Sequence, residues 1–317
     1  MSHEPVGSAP PVGRLAPSPT GQLHLGHARS FLLAWWSIRS RAGRLLMRME
    51  DLDTSRVRPG LADGMLRDLE WLGLDWDGPV TYQSERTDLY RAAVTTLESK
   101  GLLYPCTCTR REIQQAQSAP HADDAPRPYP GTCRDPAQRD PARTPALRFR
   151  VPPGPTPITD LLHGPLTFDV ATETGDFPIW TRDDIPAYQL AVVVDDAAQA
   201  ITEVLRGDDL LSSTARQQLL QRALDLPSPT WIHAPLVVTP DGRRLASRSA
   251  DLPLADLREA GVDPRAIVAW AAASCGMHPE PLASPADLLP TFRLGAIPLT
   301  AVHLPPNILA HLGSPTT

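Results

Sequence analysis

Apolar and polar positions along the chain fall into blocks whose spacing alternates between strand-like and helix-like. A short apolar segment at residues 13–17 leads through a turn at residues 19–21 into a helical pattern over residues 26–42, which Gly43 ends. A second apolar run at residues 45–49 predicts a buried strand. Two further helical patterns follow it, at residues 65–72 and 85–100. Strands that alternate with helices predict an α/β fold with a parallel sheet.

The middle of the chain, residues 106–186, is rich in proline and carries only short strand candidates, at residues 146–151 and 166–168. Beyond it, continuous apolar runs predict that the sheet resumes in buried strands, at residues 188–194, 201–205 and 231–238. Helical patterns fall between and after these runs, at residues 214–224, 254–260 and 265–273. Ser212 or Ser213 is expected to cap the first of these helices.

Composition limits the class of protein. The 317 residues suffice for two or three structural units, and 42% hydrophobic with 21% charged residues is typical of a globular protein. No long uncharged apolar run is present, so we expect no membrane partner, and residues 1–12 resemble a flexible tail rather than a signal peptide. We therefore expect a cytoplasmic protein. The net charge of −6 is unfavourable for nucleic-acid binding unless basic residues gather on one face.

The tetrapeptide His24-Leu25-Gly26-His27 stands where the first turn becomes a helix. A helix N-terminus attracts anions, because its free N–H groups and the positive end of its dipole point outward. Two imidazoles about one turn apart can donate to phosphate oxygens, and Gly26 allows a nucleotide close to the backbone. The alternative is that both histidines are surface residues at a helix start, since so short a motif also occurs by chance.

Three of the four cysteines, Cys106, Cys108 and Cys133, fall in one short stretch, and Cys275 lies in an apolar helical pattern typical of a core. Clustered cysteines in a cytosolic chain indicate a metal rather than disulfides. Tetrahedral Zn²⁺ takes four ligands, and on chemistry alone His121 is the better fourth donor. The alternative is that the three are free, buried cysteines.

Longer matches give these motifs a context. The chain contains the runs RLAPSPTG, HLGH, RMEDLD, AYQLAVVVDD and EVLRGDDL, which begin at residues 14, 24, 48, 187 and 203. In their order and spacing these runs resemble the catalytic domain of glutamyl-tRNA synthetases. The resemblance extends over roughly residues 13–260, and it is closest to the truncated branch of that family, the glutamyl-queuosine tRNA(Asp) synthetases.

The resemblance implies a class I synthetase fold with a Rossmann-like parallel sheet. Its segments would be a flexible tail (1–12), the first half of the catalytic domain (13–105), an inserted zinc-bearing subdomain on the acceptor side (106–186), the second half with a phosphate loop (187–250) and a short helical remnant (251–317). Full-length members of the family continue into a helical region that recognises the anticodon. We expect no such anticodon-binding domain here.

The family pattern also assigns roles to single residues. It implies that L-glutamate is bound by Arg14, Ser18, Glu50, Tyr188 and Arg206. Two guanidiniums suit the two carboxylates of glutamate, and a carboxylate suits its α-ammonium. The alternative is that Glu50 and Arg206 are merely paired at the edge of the sheet.

For the nucleotide, the resemblance implies binding of ATP, accompanied by Mg²⁺, at His24, Gly26, His27, Arg244 and Ser247. The last two lie in a loop that usually carries two lysines in this family, and Ser247 stands in place of the second. Arg248, which is adjacent, is permanently charged and is expected to compensate. The residues expected to act in catalysis are His24, His27, Arg244 and Arg248.

The resemblance favours Tyr129 over His121 as the fourth zinc ligand, because the truncated branch has a C-x-C and Y-x3-C arrangement. It further implies an enzyme that activates glutamate as an adenylate and transfers it to queuosine in the anticodon loop of tRNA(Asp). We also expect a monomer. Two alternatives stay open. One is a glutamate-activating ligase with a small-molecule or carrier-protein acceptor, and the other is a non-catalytic paralogue that binds ATP, glutamate or RNA.

Overall fold

The structure, a computed structural model, describes residues 9–117, 128–245 and 252–313. Within these ranges the strands are β1 (Val12–Leu15), β2 (Arg44–Met49), β3 (Thr81–Tyr82), β4 (Leu103–Cys106), β5 (Ala146–Phe149), β6 (Thr156–Asp160), β7 (Gly164–Phe168), β8 (Pro178–Trp180), β9 (Glu203–Gly207), β10 (Thr230–Ala234), β11 (Val237–Val238) and β12 (Val302–His303). The helices are α1 (Leu25–Arg39), α2 (Leu61–Trp71), α3 (Thr87–Ser99), α4 (Arg110–Gln117), α5 (Val170–Glu173), α6 (Tyr188–Ala198), α7 (Leu211–Ala223), α8 (Leu254–Glu259), α9 (Pro264–Ala273) and α10 (Ile308–His311).

The parallel part of the fold consists of two sheets that meet side by side. In one, β1, β2 and β3 run parallel, and in the other β6, β10 and β9 run parallel with β7 antiparallel at the edge. They meet where the amide of Thr202, just before β9, donates to the carbonyl of Val12 at 2.9 Å. The predicted α/β fold with a parallel sheet is confirmed. Because parallel strands end at a common edge, the residues at the ends of β1, β2 and β9 gather there.

The Pro-rich middle of the chain contains a smaller antiparallel sheet, in the order β4-β5-β8. Asp176 connects its loops, because Oδ2 of Asp176 accepts from the Tyr104 hydroxyl and from Nε of Arg134, both at 2.6 Å. Cys106 ends β4, and Cys133 lies one residue before Arg134. The cysteine-bearing loops are therefore anchored to this sheet.

The C-terminal segment packs on α1, the helix that starts at the two histidines. The indole Nε1 of Trp36, a fully buried residue of α1, donates to the carbonyl of Pro285 at 2.9 Å. Nε of Arg29 donates to Oγ of Ser274 at 2.8 Å. These contacts hold α1 between the parallel sheet and the C-terminal segment, so the orientation of its N-terminus is fixed by packing on both sides.

One predicted strand is wrong, because the apolar run at residues 188–194 forms the helix α6. A run that is buried on all sides has no periodicity with which to distinguish a strand from a helix, and α6 is buried from Gln189 to Asp196. The acidic pair Asp195 and Asp196 belongs to the same buried stretch. Apolarity alone therefore identified burial but not the type of element.

Two smaller predictions about the following elements are also wrong. The segment at residues 231–238 is not one strand, since β10 and β11 are separated at Pro235. Ser212 and Ser213 do not cap α7, because this helix begins one residue earlier and both serines lie in its first turn. The capping position belongs to Leu210, whose side chain makes no capping hydrogen bond.

The hairpin β6–β7 lies within residues 106–186, which the sequence assigned to an inserted subdomain, yet it pairs with β10 of the parallel sheet. The middle segment therefore supplies a strand to the same layer as β9 and β10. The segment boundaries remain a prediction. In the described ranges, no helix has the length and apolarity needed to cross a membrane.

Candidate active site

A cleft of about 710 Å³ opens at the edge where the parallel strands end. Every predicted glutamate-site and ATP-site residue that the structure describes lines it: Arg14, Ser18, His24, Gly26, His27, Glu50, Tyr188, Arg206 and Arg244. Ser247 and Arg248 lie outside the described residues. The cleft thus brings together residues from the first and second halves of the chain.

The two histidines form the N-terminal cap of α1. Nδ1 of His24 accepts from the amide of Gly26 at 3.1 Å, and Nδ1 of His27 accepts from the amide of His24 at 3.2 Å. Burial, together with the neighbouring His24 and Arg244, lowers the pKa of His27 to about 3. His27 is therefore neutral, with its proton on Nε2, the nitrogen that does not serve the cap.

Gly26 packs closely against this cap. A Cβ at this position would lie 3.0 Å from Cε1 and 3.1 Å from Nδ1 of His24, closer than most Cβ contacts. The His24 ring would have to move by a few tenths of an ångström to accommodate an alanine. The glycine of the motif therefore serves the geometry of the imidazole as well as access for a ligand.

Arg14 and Glu50 meet at the floor of the cleft. Arg14 is buried, donates from Nη1 to the carbonyl of Leu205 at 3.2 Å, and makes no hydrogen bond through Nε to any described residue. Burial lowers the pKa of Arg14 and raises that of Glu50, because both charges are removed from water. A charged ligand that faced both groups would recover part of that cost.

Glu50 contacts a buried ionic network that consists of Arg48, Asp196 and Arg14. Arg48, which is fully buried, lies 3.5 Å from Oε1 of Glu50 through Nη2 and donates from Nη1 to Oδ1 of Asp196 at 2.7 Å. Nε of Arg14 lies 3.7 Å from the same Asp196 oxygen. Sequence reasoning did not identify Arg48 or Asp196, although an acidic pair within an apolar run was an available signal.

Arg206 projects from β9 and is held by several partners. Its Nε donates to Nε2 of His233 at 3.0 Å, its Nη2 to Oγ1 of Thr214 at 2.9 Å, and its Nη1 to the Tyr188 hydroxyl at 3.4 Å. Among the described residues the ion-pair partner of Glu50 is Arg48, at 3.5 Å, and no ion pair joins Glu50 to Arg206. The alternative of a simple Glu50–Arg206 pair is therefore not what the structure contains.

Arg244 occupies the opposite wall, in the loop after β11. Its side chain is 65% exposed, and Nη2 lies 2.6 Å from Oδ2 of Asp209. Arg244 is near enough to His27 to contribute to lowering the pKa of that imidazole. The histidines and the late arginine therefore face one crevice. Asp209 was not identified from the sequence, although it is the second-last residue of the matched run at residues 203–210.

The cysteine cluster forms a separate candidate metal centre. The Sγ atoms of Cys106, Cys108 and Cys133 all lie within 4.8 Å of one another. The Tyr129 hydroxyl lies 3.4 Å from Sγ of Cys106 and 3.7 Å from Sγ of Cys108. Three sulfur donors and one oxygen at this spacing fit a tetrahedral ion. The competing candidate, His121, lies outside the described residues.

The protonation of the thiols also suits a metal. Hydrogen bonds, from the backbone of Thr107 and the side chains of Cys108 and Tyr129, lower the pKa of Cys133 to about 7 against the opposing effect of burial. Burial raises the pKa of Cys108 to about 11. One thiol of the cluster is therefore close to ionisation before any cation binds. Cys275 is buried at the end of α9, as predicted for a core residue.

Comparisons with known proteins agree with this arrangement. Residues 12–284 match the family model described as tRNA synthetases class I (E and Q), catalytic domain. A glutamyl-Q tRNA(Asp) synthetase of Symbiobacterium thermophilum is 46% identical over 96% of this chain and 99% of its own length. One of Nocardia farcinica is 48% identical over 90% of this chain and 91% of its own.

A solved structure shares the fold. The crystal structure of glutamate-tRNA synthetase from Elizabethkingia anophelis matches with a TM-score of 0.79 at 23% identity, covering 96% of this chain and 70% of that one. The predicted class I synthetase fold is thus confirmed. The chain belongs to the class I tRNA synthetases (E and Q), a family of ligases, and it groups with relatives named glutamyl-Q tRNA(Asp) synthetase.

Proposed function

We propose that this ligase activates L-glutamate with ATP to form glutamyl-adenylate and transfers the glutamate to queuosine in the anticodon loop of tRNA(Asp). The observation that carries the proposal is one cleft lined by an imidazole pair, an opposing arginine, two buried guanidiniums and a half-buried carboxylate. Class I synthetases use ATP and Mg²⁺. The finer statements about glutamate, adenylate and acceptor rest on the chemistry of the cleft and on the names of the relatives.

The ATP end of the cleft would be formed by the N-terminus of α1 and the loop that carries Arg244. The helix dipole favours negative charge at this end, and a neutral His27 can donate from Nε2 to a phosphate oxygen. Arg244 would add a positive charge from the other side. Mg²⁺, when bound with the nucleotide, would neutralise further phosphate charge.

The glutamate end would be formed by Arg14, Arg206 and Glu50. Glutamate carries two carboxylates and one ammonium, and these three side chains carry two positive charges and one negative charge. The charges of ligand and site are therefore complementary one for one. Tyr188, whose hydroxyl accepts from Arg206, would close the site from α6.

The reaction at the junction is an in-line displacement. The α-carboxylate oxygen of glutamate attacks the α-phosphorus of ATP, a new O–P bond forms, and the bond to the bridging oxygen breaks as pyrophosphate leaves with the electron pair. No side chain must form a covalent bond, so the contribution of the protein is positioning and charge stabilisation. Donors such as Nε2 of His27 and the guanidinium of Arg244 would stabilise the developing charge.

The acceptor is proposed from the relatives, whose printed name is glutamyl-Q tRNA(Asp) synthetase. The acceptor nucleophile would attack the adenylate carbonyl, and AMP would leave. We also propose that Zn²⁺ binds Cys106, Cys108, Cys133 and Tyr129 and stiffens the loops around β4. This cluster does not line the cleft, which supports a structural role for the metal. A monomer and a cytoplasmic location remain predictions.

The test is ATP–pyrophosphate exchange, followed by aminoacylation. Exchange that depends on glutamate and is not supported by glutamine or aspartate is the expected result, and its absence in the wild-type protein would contradict adenylate formation. Charging is then measured on tRNA(Asp) with and without queuosine. Charging of the modified tRNA alone is expected, whereas exchange without charging of either tRNA would indicate a small-molecule or carrier-protein acceptor.

A further inference from the structure

Arg206 is fixed from behind by two buried side chains that do not line the cleft. Nε2 of His233 lies 3.0 Å from Nε of Arg206 and 3.1 Å from Oγ1 of Thr214. His233 and Thr214 are fully buried, so water cannot substitute for either contact. The guanidinium therefore has one hydrogen-bonded edge toward the protein interior and the other toward the cleft.

The donors and acceptors in this group allow only one protonation of His233. An arginine Nε–H can only donate, so Nε2 of His233 must be the unprotonated, accepting nitrogen. Nδ1 lies 2.7 Å from Oδ2 of Asp160, an oxygen that accepts when ionised. The ring proton is therefore on Nδ1 and is donated to Asp160. Burial also lowers the pKa of His233, which keeps the imidazole neutral.

Asp160 is itself held in place. It ends β6, is 1% exposed, and its Oδ1 accepts from the amides of Leu162 at 2.9 Å and His163 at 3.0 Å. Although burial opposes it, the hydrogen bond from His233 and those from the backbone lower the pKa of Asp160. The carboxylate is therefore ionised and has one oxygen committed to the turn and the other to His233.

We propose that Asp160 and His233 are positioning residues for glutamate recognition: Asp160 selects the Nδ1-protonated form of His233, which orients the Arg206 guanidinium toward a carboxylate of the substrate. This proposal rests on the proposed role of Arg206 in binding glutamate. The proposal predicts that Arg206 is held in place only when the ring proton of His233 is on Nδ1, because Nε2 must then accept from Nε of Arg206. The presence of a histidine at this position is not sufficient. A pair that only stabilised the fold would have no such dependence.

The variant Asp160→Asn tests the tautomer. The asparagine Oδ1 can still accept from the turn amides, while its Nδ2 donates to Nδ1 of His233 and shifts the ring proton to Nε2, where it opposes the Nε–H of Arg206. Leaving a buried donor unpaired predicts a rise in KM for glutamate on the order of 10- to 100-fold in the exchange assay. KM for ATP is expected to change less than about twofold.

Nitrogen-15 NMR of the histidine rings supplies the readout that does not depend on activity. The wild-type protein is expected to have His233 protonated on Nδ1, and the variant on Nε2. A wild-type ring protonated on Nε2 would overturn the proposal, as would a variant with the switched tautomer and an unchanged KM for glutamate. Absence of exchange in the wild-type protein would contradict the proposed function and with it the role in glutamate recognition, while the NMR comparison would still show whether Asp160 sets the tautomer of His233.

Two substitutions of His233 serve as a matched pair should Asp160→Asn not fold. His233→Gln provides Oε1 near the position of Nε2 and retains an acceptor for Arg206, whereas His233→Asn reaches only toward Asp160. The glutamine variant is expected to keep KM for glutamate within about tenfold of wild type and the asparagine variant to exceed it. Equal kinetics in the two variants, with equal melting temperatures, would contradict a positioning role.

Discussion

The two ends of the cleft are built differently. At the proposed glutamate end, Arg14 and Arg206 are each 7% exposed and donate hydrogen bonds to acceptors in β9, α6 and α7. At the proposed ATP end, Arg244 is 65% exposed and has a close ion pair with Asp209. The first set is preorganised at the cost of removing charges from water, and the second can be rearranged when a ligand arrives. The difference indicates that the guanidiniums proposed to select the amino acid are fixed in the fold, as is the imidazole cap of α1. Of the proposed phosphate contacts, the one from Arg244 would form on binding.

The largest effect is expected from removing one of the preorganised charges at the proposed glutamate end. We expect Arg206→Ala to lower kcat/KM for glutamate by about 10³-fold, because a ligand carboxylate would lose a buried, charge-assisted partner. The measurement is ATP–pyrophosphate exchange over a range of glutamate concentrations. Arg222→Ala, an exposed position at the end of α7, is the control and should remain near wild type. A loss below tenfold for Arg206→Ala would show that this end is not the selective one.

A smaller effect is expected at the exposed end. Arg244→Ala should lower the exchange rate by about 10²-fold, which is typical for the loss of one donor to a developing charge. Arg248→Ala should lower it by about tenfold if this residue compensates for Ser247. Arg243→Ala is the matched neighbour and should change the rate less than about twofold, since its Nε donates to Asp241 rather than into the cleft. An unchanged rate in Arg248→Ala would refute the compensating role.

The pH dependence of glutamate activation tests the proposed role of Glu50. Burial raises the pKa of Glu50. As the pH falls, its carboxylate therefore takes up a proton earlier than an exposed glutamate would. Only the ionised form attracts the α-ammonium, and kcat/KM for glutamate should fall about tenfold per pH unit below that pKa. In Glu50→Gln this step should be absent and only the titration of the substrate itself should remain. Identical pH profiles for the two proteins would exclude Glu50 as the ammonium partner.

The smallest effect on activation is expected from the metal centre, which lies outside the cleft. Removing Zn²⁺ with a chelator should lower the melting temperature but change the exchange rate less than about twofold, because the proposed ligands do not line the cleft. Tyr129→Phe should weaken zinc binding, measured by competition with a chromogenic chelator. Cys275→Ala is the control and should retain one zinc per chain. A large fall in exchange on chelation would contradict the structural role.

The family resemblance, together with the histidine pair at a predicted helix start, was sufficient to predict the charged side chains Arg14, Glu50, Arg206 and Arg244 of the cleft. It was not sufficient to predict the buried residues that hold these side chains in place through hydrogen bonds. Asp160 and His233 are 73 positions apart, and their contact depends on the pairing of β6 with β10. Neither residue stands in a motif, so only the register of the sheet reveals the link to Arg206.

The misassigned helix α6 has a related physical cause. Its apolar run is continuous because the helix is covered on all sides, which removes the periodic signal that identifies most helices. The polar residues that could have corrected the assignment, Asp195 and Asp196, are buried and paired with arginines from distant segments. Local sequence patterns therefore predicted the burial of a segment more reliably than its secondary structure.

The β6–β7 hairpin has a consequence for protein engineering. A chimera that exchanges residues 106–186 as a cassette with those of another synthetase would transplant all four candidate zinc ligands, and with them Asp160, the residue proposed to orient the imidazole behind Arg206. Grafts that end before β6 would leave this link native. The cut site within the middle segment, more than the identity of the donor, should therefore determine whether such hybrids still recognise their amino acid.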